Sequence, residues 1–241
     1  MMTTPFLNGD HYTYKSLVWE DLMLTRHERH LLLQLPTHVD CLSSAIFGGG
    51  MRKIDRIANI YVDRRYDCND PEKDIEKLFQ EWNYPQEYTA GLLTAVQLEH
   101  AAVLEENGKD ASLFCCTTAG ISNGARAGSE RTTFPVYQPG TINTMLMIDA
   151  RMTQAAMVNA VITAVEAKTA ALADLGIRDV ENGLVATGTT TDAIVVGVSQ
   201  STSYPIAHRY CGTATDLGAV IGRLVYGTVR ESLIAAGVKT S

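Results

Sequence analysis

The chain has few basic residues and no patterned cysteines, and each shortage argues against a class of function. Lysine and arginine together number 20 against 27 aspartates and glutamates, giving a formal net charge of -7 and a pI near 5.3. Nucleic acid selects for a basic stripe, and no basic cluster here exceeds a pair such as Arg64-Arg65, so no nucleic-acid partner is expected. The five cysteines are odd in number and form no CxxC spacing, so neither a disulfide framework nor a zinc knuckle is expected. Cys115 and Cys116, adjacent in an apolar run, read as small buried hydrophobes. No uninterrupted apolar run reaches the roughly 18 residues of a membrane span, and the first residues lack the basic start and apolar core of a secretory signal. No HExxH motif occurs, so no compact metal site is expected, and no serine elbow is expected either. A cytoplasmic protein directed at a small molecule, without membrane contact, is the expectation.

What is present is ordinary for one compact domain covering residues 1–241, with 46% hydrophobic and 20% charged residues. Up to about Leu35 the chain alternates short apolar runs with charges: Ser16-Leu17-Val18-Trp19, Leu22-Met23-Leu24 and Leu31 to Leu35, closed by Pro36. These predict antiparallel strands with turns near Asn8-Gly9-Asp10 and Arg26 to Arg29, where His27 and His30 are expected to be solvated. Strands are expected over 39–47 and 54–62, separated by Gly48-Gly49-Gly50, which serve either a tight turn or a closely approaching ligand. Pro71 opens a surface helix reaching Phe79, and 89–104 is predicted helical, with His100 inside it.

The clearest element is a helix over 154–175. Thr153 is placed as its N-cap, Met152 and Met157 as a hydrophobic staple, and Gly176 as its stop. Winding it puts Asn159, Thr163 and Glu166 on one face, and Met157, Val161, Ala164, Ala171, Leu172 and Leu175 on the other. Lys168 interrupts that apolar side. A buried lysine requires a carboxylate partner, and Asp192, in the loop beyond the helix, is a candidate. A last helix over 215–236 carries Gly218 and Gly222, which would let a neighbouring element approach closely and so admit a homodimer. His208 and Cys211, three residues apart in a loop, are not expected to form a working dyad. Strands first, then helices alternating with single strands, make the fold class α+β or mixed α/β, a single domain.

Three polar loops of one character stand out. Leu113 to Cys116 runs into Thr117-Thr118-Ala119-Gly120-Ile121-Ser122-Asn123, Gly140-Thr141-Ile142-Asn143 opens the run Met145 to Ile148, and Ala186-Thr187-Gly188-Thr189-Thr190-Thr191-Asp192-Ala193 lies between two apolar stretches. Hydroxyls and glycines of this density exceed what a turn requires and suggest one shared site.

With Leu42-Ser43-Ser44-Ala45, Gly48 to Gly50 and Glu166-Ala167-Lys168-Thr169, these loops form an ordered series that resembles the adenosylcobinamide amidohydrolase family of corrinoid salvage. The resemblance runs from about Val39 through residue 238, leaving residues 1–36 as a strand-rich extension. It implies hydrolysis of the amide joining adenosylcobyric acid to 1-amino-2-propanol, with adenosylcobinamide as substrate. The corrinoid carries its own cobalt, so no cofactor of the protein is expected. The alternative is a corrinoid-binding or delivery protein without turnover.

Amide hydrolysis requires a nucleophile, donors to the developing oxyanion and an acid for the leaving amine. Glu166 or Asp192 is the expected general base for water, with Lys168 and Asn143 orienting it or stabilising the oxyanion. Gly49, Gly50, Thr118, Gly120, Ser122, Asn123, Thr141, Gly188, Thr190 and Thr191 are the expected substrate contacts. A second version uses Thr190 or Thr191 as a nucleophile activated by Lys168, or Thr141 exposed by cleavage after Gly140.

Overall fold

A computed structural model describes residues 2–9, 12–133 and 141–239. Asp10 of the expected first turn and Gly140 of the second polar loop lie outside these residues. The chain forms β1 (Met2–Thr3), β2 (Thr13–Lys15), β3 (Met23–Arg26), β4 (His30–Ser43), β5 (Gly50–Tyr61), α1 (Pro71–Glu81), β6 (Thr89–Thr94), β7 (Ala102–Asn107) and β8 (Ser112–Ala119). It continues with β9 (Gly124–Ala125), β10 (Ile142–Asp149), β11 (Arg151–Met152), α2 (Gln154–Asp174), β12 (Gly188–Thr189), β13 (Ala193–Val198), β14 (Ala207–His208) and α3 (Asp216–Ala235).

The main sheet is mixed and runs β1-β7-β8-β10-β13-β4-β3-β2, with β5 joining β4 to β6. Its centre consists of β8, β10 and β13, continuous apolar runs covered on both faces as a central strand demands. Alternation assigns the faces. Leu113, Cys115, Leu146 and Ile148 pack under α2 and α3, while Phe114, Cys116, Met145 and Met147 pack against Phe6, Leu24, Leu33 and other residues of the N-terminal strands. The adjacent cysteines therefore sit in two different cores, and burial pushes the Cys115 thiol up to about 11.

Two parallel pairs are joined through helices, β5–α1–β6 and β10–α2–β13. The helices start where the sequence indicates. Thr153 accepts from the amide of Ala156 at 3.2 Å, Thr215 from that of Gly218 at 3.0 Å, and Asp70 precedes Pro71 and accepts from that of Lys73 at 3.2 Å. Each such cap contributes about 1 kcal/mol. Met152 and Met157 are both buried, and Gly176 takes φ +65° beyond the end of α2.

Several expectations are corrected. The segment 89–104 is not a helix but β6, a 3-10 turn (Leu98–His100) and the start of β7. A strand buried on both faces loses its alternation, so Leu92, Leu93 and Val96 matched helical spacing by accident. Pro36 does not close its strand, because β4 carries it within an exposed stretch, 36–38, that coincides with a register shift between Gln34 and Val39. Ser16 to Trp19 lies in a loop. His30 is not solvated. It is 3% exposed, stacks on Trp82 with ring centroids 4.0 Å apart and shares a 2.8 Å hydrogen bond with the Tyr84 hydroxyl. Desolvation, reinforced by His27 and Arg29, lowers its pKa to about 3.

The faces of α2 also differ from the expectation. Thr163 is buried and donates to the carbonyl of Cys211 at 2.8 Å, whereas Val158, Ile162 and Val165 are exposed. By length and composition α2 is apolar enough to cross a membrane, yet Ala156, Met157, Ala160, Ala164, Ala171 and Leu172 are buried within the domain. Gly218 acts within the chain, since a Cβ there would meet the carbonyls of Cys211 and Gly212.

Candidate active site

The three polar loops meet at one end of the sheet. Register pairs Ile142 and Asn143 of β10 with Ala119 and Thr118 of β8, and Asn143 with Ala193 of β13, so the loop after β8 and those before β10 and β13 share an edge. A two-residue ladder joins them further, with Gly188 opposite Ala125 and Thr189 opposite Gly124. Glycine keeps space open at both Gly124 and Gly188. A Cβ on Gly124 would lie 2.7 Å from the carbonyl of Arg178, and one on Gly188 would lie 2.8 Å from Lys168 Nζ and inside contact distance of Asp192 Oδ2.

Lys168, from the last third of α2, forms a salt bridge with Asp192 Oδ2; their side chains are 13% and 17% exposed. The same oxygen accepts from the Thr189 amide at 3.1 Å, and Oδ1 accepts from the Ile142 amide at 3.1 Å and the Thr189 hydroxyl at 2.5 Å. Four donors occupy the four acceptor positions of a carboxylate. The carboxylate is thus fixed by backbone on two sides, and it fixes the ammonium in turn. The sequence pointed to Thr190 and Thr191 in this loop and not to Thr189, whose hydroxyl donates to Asp192.

A cavity of about 820 Å³ opens beside this pair. The segment 125–133, Val165, Lys168, Thr169 and residues 187–192 line it. Asp179 holds the wall: its buried carboxylate accepts from the amides of Arg126 at 2.7 Å and Glu181 at 2.9 Å and from the Arg131 guanidinium at 2.9 Å. The Glu181 and Arg126 amides, with Arg131, hold its carboxyl below the usual range. Arg126 also reaches the carbonyl of Val185 at 2.9 Å. Nothing in the sequence marked Asp179, because a lone aspartate before a turn is common.

The other expected residues divide into groups. Thr190 and Thr191 line the cavity, and Asn123 donates to the Thr190 hydroxyl at 2.6 Å. Asn143, Thr118 and Thr141 are buried behind the loops in a network with Asn59. Asn143 donates to Asn59 Oδ1 and the Leu93 carbonyl, both at 2.8 Å, Asn59 donates to Thr118 at 2.9 Å, and Thr141 donates to the carbonyl of Thr191 at 2.6 Å. These three therefore hold the loop from behind and do not face the cavity. Gly120 and Ser122 border a separate small cavity with His100 and Arg64.

Gly49 and Gly50 shape the turn between β4 and β5, where Gly50 takes φ +87° and a Cβ on Gly49 would meet the Ala45 carbonyl. Glu166 is exposed on α2 and is absent from the lining of the cavities beside Lys168, two positions away on a helix and so turned to another face. His208 bonds the Asp110 carbonyl at 3.2 Å, and Cys211 is buried with its thiol pushed up to about 12, so they form no dyad. Among the described residues no cluster of three or more His, Cys, Asp or Glu is arranged to hold a metal.

The fold is thus a mixed α/β domain with a fixed lysine–aspartate pair in the wall of a glycine-shaped cleft. The sequence profile of the adenosylcobinamide amidohydrolase family matches residues 16–239, and the chain belongs to that family. An adenosylcobinamide amidohydrolase of Methanosarcina mazei is 30% identical over 197 residues, covering 78% of this chain and 88% of the relative. One of Halobacterium salinarum is 32% identical over 155 residues, 62% of this chain and 60% of the relative. An uncharacterized protein of Methanocaldococcus jannaschii is 33% identical over 169 residues, 62% of this chain and 64% of the relative. The match begins at residue 16, and β4 runs unbroken across position 36, so the strand-rich N-terminal part is continuous with the rest.

Proposed function

We propose that the protein hydrolyses the amide between the corrin carboxyl arm and 1-amino-2-propanol in adenosylcobinamide, giving adenosylcobyric acid and the free amino alcohol. The observation that carries this reading is the Lys168–Asp192 pair in the wall of the large cavity of a chain from this family. Of the two expected bases, Glu166 and Asp192, the proposal takes Asp192, because it lines the cavity and Glu166 does not.

Asp192 can accept a proton only when one of its four donors yields. The two amides are fixed and the ammonium is held by charge, so the Thr189 hydroxyl is the group that rotates away and lets water take its place. Asp192 removes a proton from that water as it attacks the carbonyl carbon. The Lys168 ammonium stabilises the developing oxyanion, and the proton passes to the departing nitrogen as the C–N bond breaks. The arms of the corrin meet the hydroxyls of Thr190 and Thr191, and Val165 meets its apolar edge.

The 2.5 Å contact between Thr189 and Asp192 favours a second version, in which the Thr189 hydroxyl itself attacks and forms an ester later cleaved by water. Thr189→Val separates them. Water attack retains turnover within about tenfold, since the freed carboxylate position admits water, whereas a threonine nucleophile leaves only background. Dark incubation with adenosylcobinamide, followed by mass analysis of the corrinoid, tests the function itself. Loss of the aminopropanol arm with a new carboxylate supports it, and tight binding of an unchanged corrinoid would make the protein a carrier.

A further inference from the structure

A second cavity, of about 320 Å³, also borders the Lys168–Asp192 pair. Lys168, Asp192 and Val165 line both this cavity and the large one. Resting on the function proposed above, we infer that the smaller cavity receives the departing amino-alcohol arm, and that Val161 and Ser44 set which arm is accepted.

Three observations carry the assignment. The first is position. A scissile amide placed at Lys168 and Asp192 has one substituent on each side of the pair, and the two cavities differ in volume by more than a factor of two, as an acyl arm on a large ring and a small amine require.

The second is chemistry. Ile142, Val161, Ala164 and Ile194 supply an apolar wall, and Ser44 supplies a hydroxyl that accepts from the Ile194 amide at 3.0 Å and keeps its own proton for a ligand oxygen. A methyl group and a single hydroxyl on a two-carbon stem match that lining. At a liquid-volume share of about 30 Å³ per heavy atom, five heavy atoms occupy about 150 Å³, so the cavity admits the arm with space to spare.

The third is construction. The segment 125–133 forms one wall of the large cavity, but the small one is set between α2, the first residues of β10 and β13 and the end of β4. Rigid walls discriminate size.

The test compares wild type, Val161→Phe and Val161→Ala on adenosylcobinamide and on its analogue bearing a 1-amino-2-butanol arm, with binding of adenosylcobyric acid, which lacks the arm, as the control. Val161→Phe should lower kcat/KM for adenosylcobinamide at least tenfold while adenosylcobyric acid binds within twofold of wild type. Val161→Ala should raise the preference for the butanol arm by about tenfold, the scale of one methylene. If Val161→Phe fails to fold, as judged by thermal melting, Val161→Ala carries the test. Unchanged arm selectivity in Val161→Ala, or parallel losses of turnover and adenosylcobyric acid binding, overturns the assignment. A wild-type protein that cleaves neither corrinoid overturns the underlying function and the pocket with it, a result distinguishable because no variant is needed to see it.

Discussion

Replacing Gly188 by alanine adds one methyl group at the point where the site is tightest. The backbone tolerates it, because Gly188 does not have positive φ. The methyl would stand 2.8 Å from Lys168 Nζ and within contact of Asp192 Oδ2. Ordinary van der Waals separation then requires the ammonium to retreat by about 0.6 Å or more, and the carboxylate to turn against the amides that hold it. Both atoms end flexible side chains, so the fold can absorb the change. Weakening a partly exposed ion pair costs ~1–2 kcal/mol, and the restricted unfolded chain returns up to ~1 kcal/mol. The melting temperature should therefore fall by no more than ~4–8 °C.

Catalysis is less forgiving, since displacement of a positioned group by about an ångström costs ~100-fold. Steady-state kinetics on adenosylcobinamide should show kcat/KM reduced by about two orders of magnitude, mainly through kcat, in a protein that still melts cooperatively. Turnover within threefold of wild type would refute the argument that this pair performs the reaction.

Other outcomes follow from the same geometry. Glu166→Gln should turn over like wild type, because Glu166 faces solvent, while Asp192→Asn should lose at least ~1,000-fold in kcat; steady-state kinetics on the two variants checks both. His30 is held neutral in the folded state down to about pH 3 but protonates near pH 6.5 when unfolded, so the unfolded state binds the extra proton between those values. Stability should fall by up to ~5 kcal/mol as pH drops through that window, and urea titrations should show this slope diminished in His30→Phe, which keeps a ring against Trp82. Asp179→Ala should release the segment 126–132, giving faster limited proteolysis there and weaker corrinoid binding while α2 stays protected.

The sequence made some of this legible and not the rest, for physical reasons. Helix α2, its cap, its staple and its stop are local features, and they appear where their signals lie. The pairing of Lys168 with Asp192 was legible as one candidate, because a charge on an apolar helix side demands a partner, although Glu166, Asp174, Asp179 and Glu181 all lie nearer in sequence. The convergence of three glycine- and threonine-rich loops at one sheet edge followed from their shared character.

Individual roles were not legible, because composition cannot tell a hydroxyl facing a cavity from one facing its neighbours. Thr118, Thr141 and Asn143 share the loops' chemistry, but register turns them inward to Asn59, a residue 59 positions from Thr118 and outside every motif. Glu166 drew notice in the sequence for a simpler reason. On a helix of small residues any carboxylate stands out, whether or not anything lies in front of it. The mistaken helix over 89–104 reflects the loss of alternation in a strand buried on both sides.

The measurement that bears most directly on the central claim is the mass spectrum of adenosylcobinamide incubated with the protein in the dark in ¹⁸O-labelled water. Hydrolysis at this site predicts a corrinoid lacking the aminopropanol arm, whose new carboxylate carries one ¹⁸O atom. A corrinoid recovered with its arm intact, bound or unbound, would contradict it.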